Sequence, residues 1–405
     1  MNTITVVDAR MGRGKSSAAI RYMNRYKDSK RFLYITPYLD EVGRICERCD
    51  FDQPDSDHMS KSTELKLHMR LGHNIAATHS LFYLMDTEAL ELVRQKHYSL
   101  IVDESIQVIE RLNITNKDFD LIINQLATEH EDGRIEWLDD SYTGRFYDYK
   151  EMANTGSLFR LDSALLNILN PELLRSFDEV FMLTYLFDGQ YQKAYLDFFG
   201  FDYNIIGVEQ DESGYRFSDR PDAPPPLDYR KLIRIVDDPK LNAVGDKHYA
   251  LSKAWYDRRG YDNPEIRKLR NGLKKFFQSI PDGSSETRLW SCFKSDVNKL
   301  VDSRTGRFRN NFLQTSARAT NQYKSRTDIA YMVNRFADPN IMKFFAKQNV
   351  TINPEHFALS EMLQWIWRSA IRDDKPINLY IPSRHMRELL INWINTTNQG
   401  GCPIE

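Results

Sequence analysis

Residues 8–17 read DARMGRGKSS, and they follow Ile4-Thr5-Val6-Val7, four β-branched residues in a row. Such a run reads as a short buried strand. Gly12 and Gly14 then let the backbone curl, and the chain continues as SAAIRYMNRY (17–26), a helical stretch. Strand, glycine turn and helix aim consecutive backbone N–H groups and a helix N-terminus at one point, which is what a phosphate requires. Gly12, Arg13, Gly14, Lys15, Ser16 and Ser17 are therefore expected to cradle a nucleotide. Lys15 would reach the β- and γ-phosphates, and the Ser16 hydroxyl would take one position on magnesium.

The rest of the chain is large enough to use such a loop. Its 405 residues predict two or three domains, each with its own core. A hydrophobic share of 41% against 28% charged residues marks a globular chain. No apolar run approaches the ~18 residues of a membrane span and no signal-peptide pattern opens the sequence, so a cytoplasmic protein without membrane partners is expected. Cys46, Cys49, Cys292 and Cys402 are too few and too scattered for a disulfide framework. Cys46-x-x-Cys49 is half of a zinc pattern, but no second C-x-x-C exists and the pair lies in the amphipathic EVGRICERC.

A formal net charge of −2 excludes a wholesale basic coat. Any polyanion must be held by local patches. Residues 257–277 and 316–326 both mix Arg or Lys with aromatic rings. A solvated helix face explains the first equally well, whereas the second carries hydroxyls and an amide suited to phosphate contacts. No helix-turn-helix or zinc-finger spacing is evident, so sequence-specific reading is not expected.

Short apolar runs alternate with helical stretches in the first half: TITVVD, RFLYIT, NIAATH, YSLIVD and EVFMLT. That alternation predicts a parallel sheet covered on both faces. About 75 residues between the last two runs are too many for one crossover and read as an inserted, mainly helical subdomain, at about 110–175. Near 211–228 the composition turns polar and proline-rich, the best boundary in the chain. Beyond it KLIRIV, TRLWSCF, FLQTS, DIAYMV and INLYIP read as the strands of a second α/β domain. The expected division is 1–210, a linker over 211–228, and 229–405.

Hydrolysis needs a carboxylate on the metal shell and another beside the attacking water. YSLIVDES (98–105) supplies both at one strand end. Acids after a strand also cap helices, but the phosphate loop about 90 residues upstream favours Asp103 as metal partner and Glu104 as base or water-orienting group.

Ala9-x-x-Gly12-x-Gly14-Lys15-Ser16 is the form the phosphate loop takes in superfamily 2 helicases, and the chain resembles that family along most of its length, in particular the DEAD-like helicases encoded by bacteriophages. LYITPYLDEV (33–42) is similar to motif Ia, with Thr36 and Pro37 where such enzymes contact the strand backbone. ATHSLF (77–82) resembles motif Ib, which brings in Thr78 and His79, and DES stands at DExx. FMLTYLF (181–187) falls where motif III couples hydrolysis to movement, with Thr184 as its hydroxyl. QWIWRSAIR (364–372) resembles motif VI, although Trp367 occupies the usual glycine position and the second arginine comes one residue late. TSARATNQY supplies Arg318, Thr320 and Asn321 as strand contacts of the second domain.

The resemblance implies two RecA-like P-loop NTPase domains with parallel sheets, ATP and magnesium as cofactors, and single-stranded or forked nucleic acid, DNA in particular, as partner. It also implies a role in phage replication or recombination beside replication proteins, in the host cytoplasm. Gln364, Arg368 and Arg372 would line one helix face, with one arginine completing the ATP site from the second domain. Two other readings stay open. A packaging-type motor would carry a metal nuclease in its second half, yet INLYIP ends without an acid. An ATP-switch loader would remodel replication complexes without unwinding.

Overall fold

The computed structural model describes residues 3–56, 59–220, 228–281, 283–302, 305–315 and 322–398. The five runs of the first half form strands β1 (Ile4–Asp8), β2 (Arg31–Thr36), β3 (Ile75–Thr78) and β4 (Tyr98–Asp103), and, beyond the insertion, Glu179–Thr184. The insertion adds β5 (Ile109–Arg111), β6 (Ala127–Glu129), β7 (Ile135–Trp137), β8 (Leu158–Leu161) and β9 (Ala164–Ile168), which makes Glu179–Thr184 β10. β11 (Tyr203–Asp211) and β12 (Gly214–Ser218) follow as a hairpin that the sequence reading does not anticipate.

These strands make a seven-stranded sheet in the order β12-β11-β1-β10-β4-β2-β3, parallel except for β12. Its central strands are mostly apolar and largely buried, as strands of a parallel sheet covered on both faces are, and β4 is buried at all six positions. Register fixes where their ends fall. Asp8 pairs with Thr184, Leu183 with Asp103, and Thr36 with Thr78, so the polar residues closing each apolar run share one edge, the carboxyl edge of the sheet. Ligand sites in open α/β sheets form along that edge.

The insertion combines helices Asn116–Leu121 and Tyr147–Asn154 with two small antiparallel sheets, β5-β9-β8 and β6-β7. Phe119, Ile122, Ile135, Trp137, Phe146, Leu158 and Leu165 give it a core of its own.

Packing divides the chain into two units. The first is Met1–Asp8, Lys15–Asp219 and Ala337–Asn353; the second is Ala9–Gly14, Arg220–Phe336 and Pro354–Glu405. The segment Ala337–Asn353 thus belongs to the first unit, outside the division expected from the proline-rich boundary. Its helix Pro339–Lys347 buries Ile341, Phe344 and Phe345 in the first unit's core, Phe344 meeting Phe159 at 5.8 Å and Phe198 at 5.3 Å between ring centres. Lys343 and Lys347 both pair with Asp162.

The second unit is built on a parallel sheet of β13 (Ile233–Ile235), β14 (Arg288–Ser291), β15 (Asp328–Tyr331) and β16 (Ile377–Tyr380), in the order β13-β16-β15-β14. FLQTS is not among its strands. Phe312 makes a single bridge to Trp290, and the Leu313 N–H donates to the Trp290 carbonyl at 2.9 Å, one rung short of a strand.

Candidate nucleotide site

In the first unit, helix α1 (Lys15–Tyr26) begins at Lys15, which is half-buried. The next residue meets the end of β4: the Ser16 hydroxyl donates to Asp103 at 3.1 Å to Oδ2 and 3.4 Å to Oδ1. Ser17 is exposed. The Tyr34 hydroxyl donates to Asp103 Oδ2 at 2.5 Å from β2. Tyr34 is fully buried, and in RFLYIT it reads as one more core ring, so no sequence signal marks it as a partner of the carboxylate.

Burial pushes the Asp103 carboxyl up to about 6, and the neighbouring Glu104 charge pushes the same way, while the Tyr34 and Ser16 hydroxyls pull it back. The Tyr34 hydroxyl is itself raised, by its own burial and then by the Asp103 charge. A hard cation such as Mg²⁺ takes oxygen ligands at ~2.1 Å in an octahedron, which sets neighbouring ligands about 3.0 Å apart. The hydroxyl and carboxylate at 3.1 Å have that chemistry and that spacing, so the donor set fits magnesium.

Glu104, half-buried, holds a backbone φ of +68°, a conformation side-chain-bearing residues rarely adopt. Strain of that kind persists only where surrounding contacts enforce it. Ser105 Oγ donates to Gln190 Oε1 at 2.9 Å, Thr184 Oγ1 donates to the same oxygen at 2.9 Å, and the two hydroxyls lie 3.3 Å apart. The Ile106 N–H donates to Gln192 Oε1 at 2.8 Å. The stretch after Asp103 is therefore tied to the end of β10, and Thr184 stands in that tie. Gln190 and Gln192 escaped the sequence reading; two glutamines within FDGQYQ, buried among aromatics, are the signal that could have found them. Asp8 closes the same edge by accepting the Leu186 and Phe187 N–H groups at 2.9 and 3.1 Å.

Two expected strand contacts are corrected. Thr36 is fully buried at the end of β2, and His79 is buried with Nε2 3.0 Å from the Asp103 carbonyl oxygen, so neither side chain faces a ligand. Thr78, half-buried, caps the helix His79–Tyr83 by accepting the Leu81 N–H at 3.3 Å. Pro37 is half-buried. Arg318, Thr320 and Asn321 lie outside the described residues.

In the second unit, Gly12 and Gly14 have φ of +79° and +78°, which only glycine adopts without strain. A Cβ on Gly12 would also stand 3.3 Å from the Arg372 carbonyl oxygen. Arg10 hydrogen-bonds the Tyr229 hydroxyl, and the Arg13 charge, on a half-buried side chain, bears on Asp374.

The expectation of one arginine face on a helix is overturned. The helix Pro354–Ile366 stops before Arg368 because Ser369 turns extended, its N–H and hydroxyl both donating to the Ile366 carbonyl, at 3.1 and 2.6 Å. A short 3₁₀ turn, Ala370–Asp373, then carries Arg372. Arg368 is buried, Arg372 exposed and Gln364 half-buried within the helix proper, so the i, i+4 argument does not apply to them.

Two family models match the sequence: the YonV C-terminal Rossmann-like domain over residues 227–394 and the YonV middle domain over residues 109–167. The SPbeta prophage-derived protein YonV of Bacillus subtilis (strain 168) is 35% identical over 414 residues, spanning 97% of this chain and 99% of that one. Among solved structures, an XPD helicase aligns with a TM-score of 0.50 at 11% identity, covering 96% of this chain and 95% of its own. S. tokodaii Xpd4 aligns with a TM-score of 0.51 at 11% identity, covering 99% and 95%. At that identity the likeness establishes the fold: RecA-like α/β domains, with a helical insertion, as in XPD-type helicases. Among the described residues, no helix is long and apolar enough to cross a membrane.

Proposed function

The chain belongs to the YonV family, and we propose that it is an ATP-hydrolysing superfamily 2 motor, a helicase or translocase acting on nucleic acid. The observation that carries this reading is the meeting of Ser16 and Asp103 at the carboxyl end of a parallel sheet, one residue after a lysine that opens a helix. An ordinary strand-to-helix turn has no reason to bring a hydroxyl and a buried carboxylate together there.

In this reading Gly12 to Ser17 bind the phosphates and Lys15 neutralises the β/γ pair. Ser16 and Asp103 would hold magnesium, which when bound would draw charge from the phosphate oxygens. Glu104 orients the attacking water and takes its proton. The Ser105–Thr184–Gln190 contacts carry a change at Glu104 to the end of β10. Arg372, exposed on its 3₁₀ turn, is assigned the finger role in preference to buried Arg368. Relationship to a prophage protein and the helicase fold support DNA as the substrate and a phage replication or recombination step as the setting, in the host cytoplasm.

The test is ATP turnover of the full chain with and without single-stranded DNA at two salt concentrations. Strand contacts made to backbone phosphates predict stimulation that falls by at least about 10-fold in affinity between 50 and 200 mM salt. Turnover indifferent to any polynucleotide would move the protein to an ATP switch.

A further inference from the structure

Away from the nucleotide site, three side chains converge in the first unit where helices α2 (Leu39–Cys49) and α3 (Lys61–Leu71) end and β3 begins. His73 Nδ1 lies 2.5 Å from Asp52 Oδ2, His68 Nδ1 lies 3.3 Å from the same oxygen, and the two Nδ1 atoms are 3.3 Å apart. An ordinary Asp–His pair uses one imidazole. Here two ring nitrogens face one carboxylate oxygen and each other, and with both imidazoles in the Nε2–H tautomer three lone-pair donors crowd one point. A cation among them removes that conflict.

We propose that Asp52, His68 and His73 form a zinc-class metal site that clamps the start of edge strand β3. Two imidazoles and one carboxylate are the donor set of zinc, while magnesium and calcium prefer oxygen alone. Zinc bonds of ~2.0–2.1 Å in a tetrahedron place ligand atoms about 3.3–3.4 Å apart. Two of the three edges are already 3.3 Å, and the third opens by a side-chain shift of less than about 1 Å. Three protein ligands leave a fourth position for water, and the Asp52 and His73 side chains, 45% and 43% exposed, leave it reachable from solvent.

The backbone holds the ligands in advance. Asp52 is fixed on both sides, its N–H donating to the Asn74 carbonyl and its carbonyl accepting from Ala76, each at 2.9 Å. Gly72 caps α3 with a φ of +74°, which lets the His73 N–H return to the His68 carbonyl at 3.1 Å. The buried Tyr98 hydroxyl donates to the His73 carbonyl at 2.6 Å from β4. A metal here would pin the entry of β3, whose far end is Thr78.

Chelator-stripped full chain, without nucleotide, is titrated with Zn²⁺ and separately with Co²⁺. We expect one equivalent bound, the strong visible absorption of tetrahedral cobalt, and a Tm rise of roughly 5–10 °C at about 100 times Kd. His68→Asn with His73→Asn should weaken zinc binding by roughly 100-fold or more and abolish the Tm rise. Cys46→Ser with Cys49→Ser should change neither. Should the double histidine variant not fold, His73→Asn alone, at a half-exposed ring, carries the same comparison. No saturable zinc on the wild type, undiminished binding by the histidine variants, or loss of binding with the cysteine pair would overturn the site.

Discussion

The carboxyl edge of the first unit's sheet and the segment after Ile366 in the second unit hold polar side chains in opposite ways. At the sheet edge, Asp8, Asp103 and Thr184 arrive from adjacent strands in fixed register, and each is gripped by a contact from a neighbouring segment. After Ile366 the arginines sit on a broken helix, Arg368 buried and Arg372 exposed on a single 3₁₀ turn. A parallel sheet positions chemistry by pairing many residues at once. A turn positions it by one serine, through the Ser369 contacts to the Ile366 carbonyl. The contrast is between side chains fixed by sheet register and side chains carried on a short turn.

Replacing the arginines is the sharpest way to break that contrast. Arg372→Ala should lower ATP turnover by about 10³–10⁵-fold, roughly 4–7 kcal/mol of barrier, with nucleotide affinity nearly unchanged. Arg368→Ala should instead destabilise the fold by roughly 2 kcal/mol through lost buried contacts. Separate measurement of Kd, turnover and Tm decides it; a turnover loss confined to Arg368→Ala would reverse the assignment.

Glu104 ranks next. Glu104→Gln keeps the shape and removes the base, so turnover should fall by about 10²–10⁴-fold while nucleotide binding is retained. Unchanged turnover would leave the +68° backbone at Glu104 without a catalytic explanation.

Asp103 gives a smaller effect of opposite sign on stability. Its carboxyl, held at about 6 by burial, binds a proton more tightly folded than unfolded. As pH falls from about 6 to about 4 the folded state takes up that proton and gains stability, and at pH 7 the ionised group costs about 3 kcal/mol. Asp103→Asn should therefore raise the stability of nucleotide-free protein at pH 7 by up to about 3 kcal/mol, while abolishing turnover, since Ser16 and Tyr34 can still donate to the amide oxygen. Denaturant melts at pH 4 and 7 check this: the gain should shrink at the lower pH.

Legibility in the sequence followed how local the physical demand was. Gly12 and Gly14 announce a backbone that needs positive φ, and the β-branched run before them announces the strand, so the loop and its pairing with YSLIVDES could be read directly. Tyr34 could not be, because a hydroxyl in an apolar run carries no mark of what it will meet across the sheet. The arginine face failed because a 3.6-residue period was carried through Ser369, whose hydroxyl competes with the helix. The return of Ala337–Asn353 to the first unit and the convergence of Asp52, His68 and His73 are long-range packing, and no spacing encodes them.

A phosphate loop that includes Lys15 should make ATP hydrolysis depend on that one cation. Steady-state ATP turnover of wild type and Lys15→Ala, each with single-stranded DNA and magnesium, tests it most directly. Measurable turnover is expected for the wild type and a loss of about 10³-fold, roughly 4 kcal/mol, for the variant. Equal rates for the two proteins would contradict it.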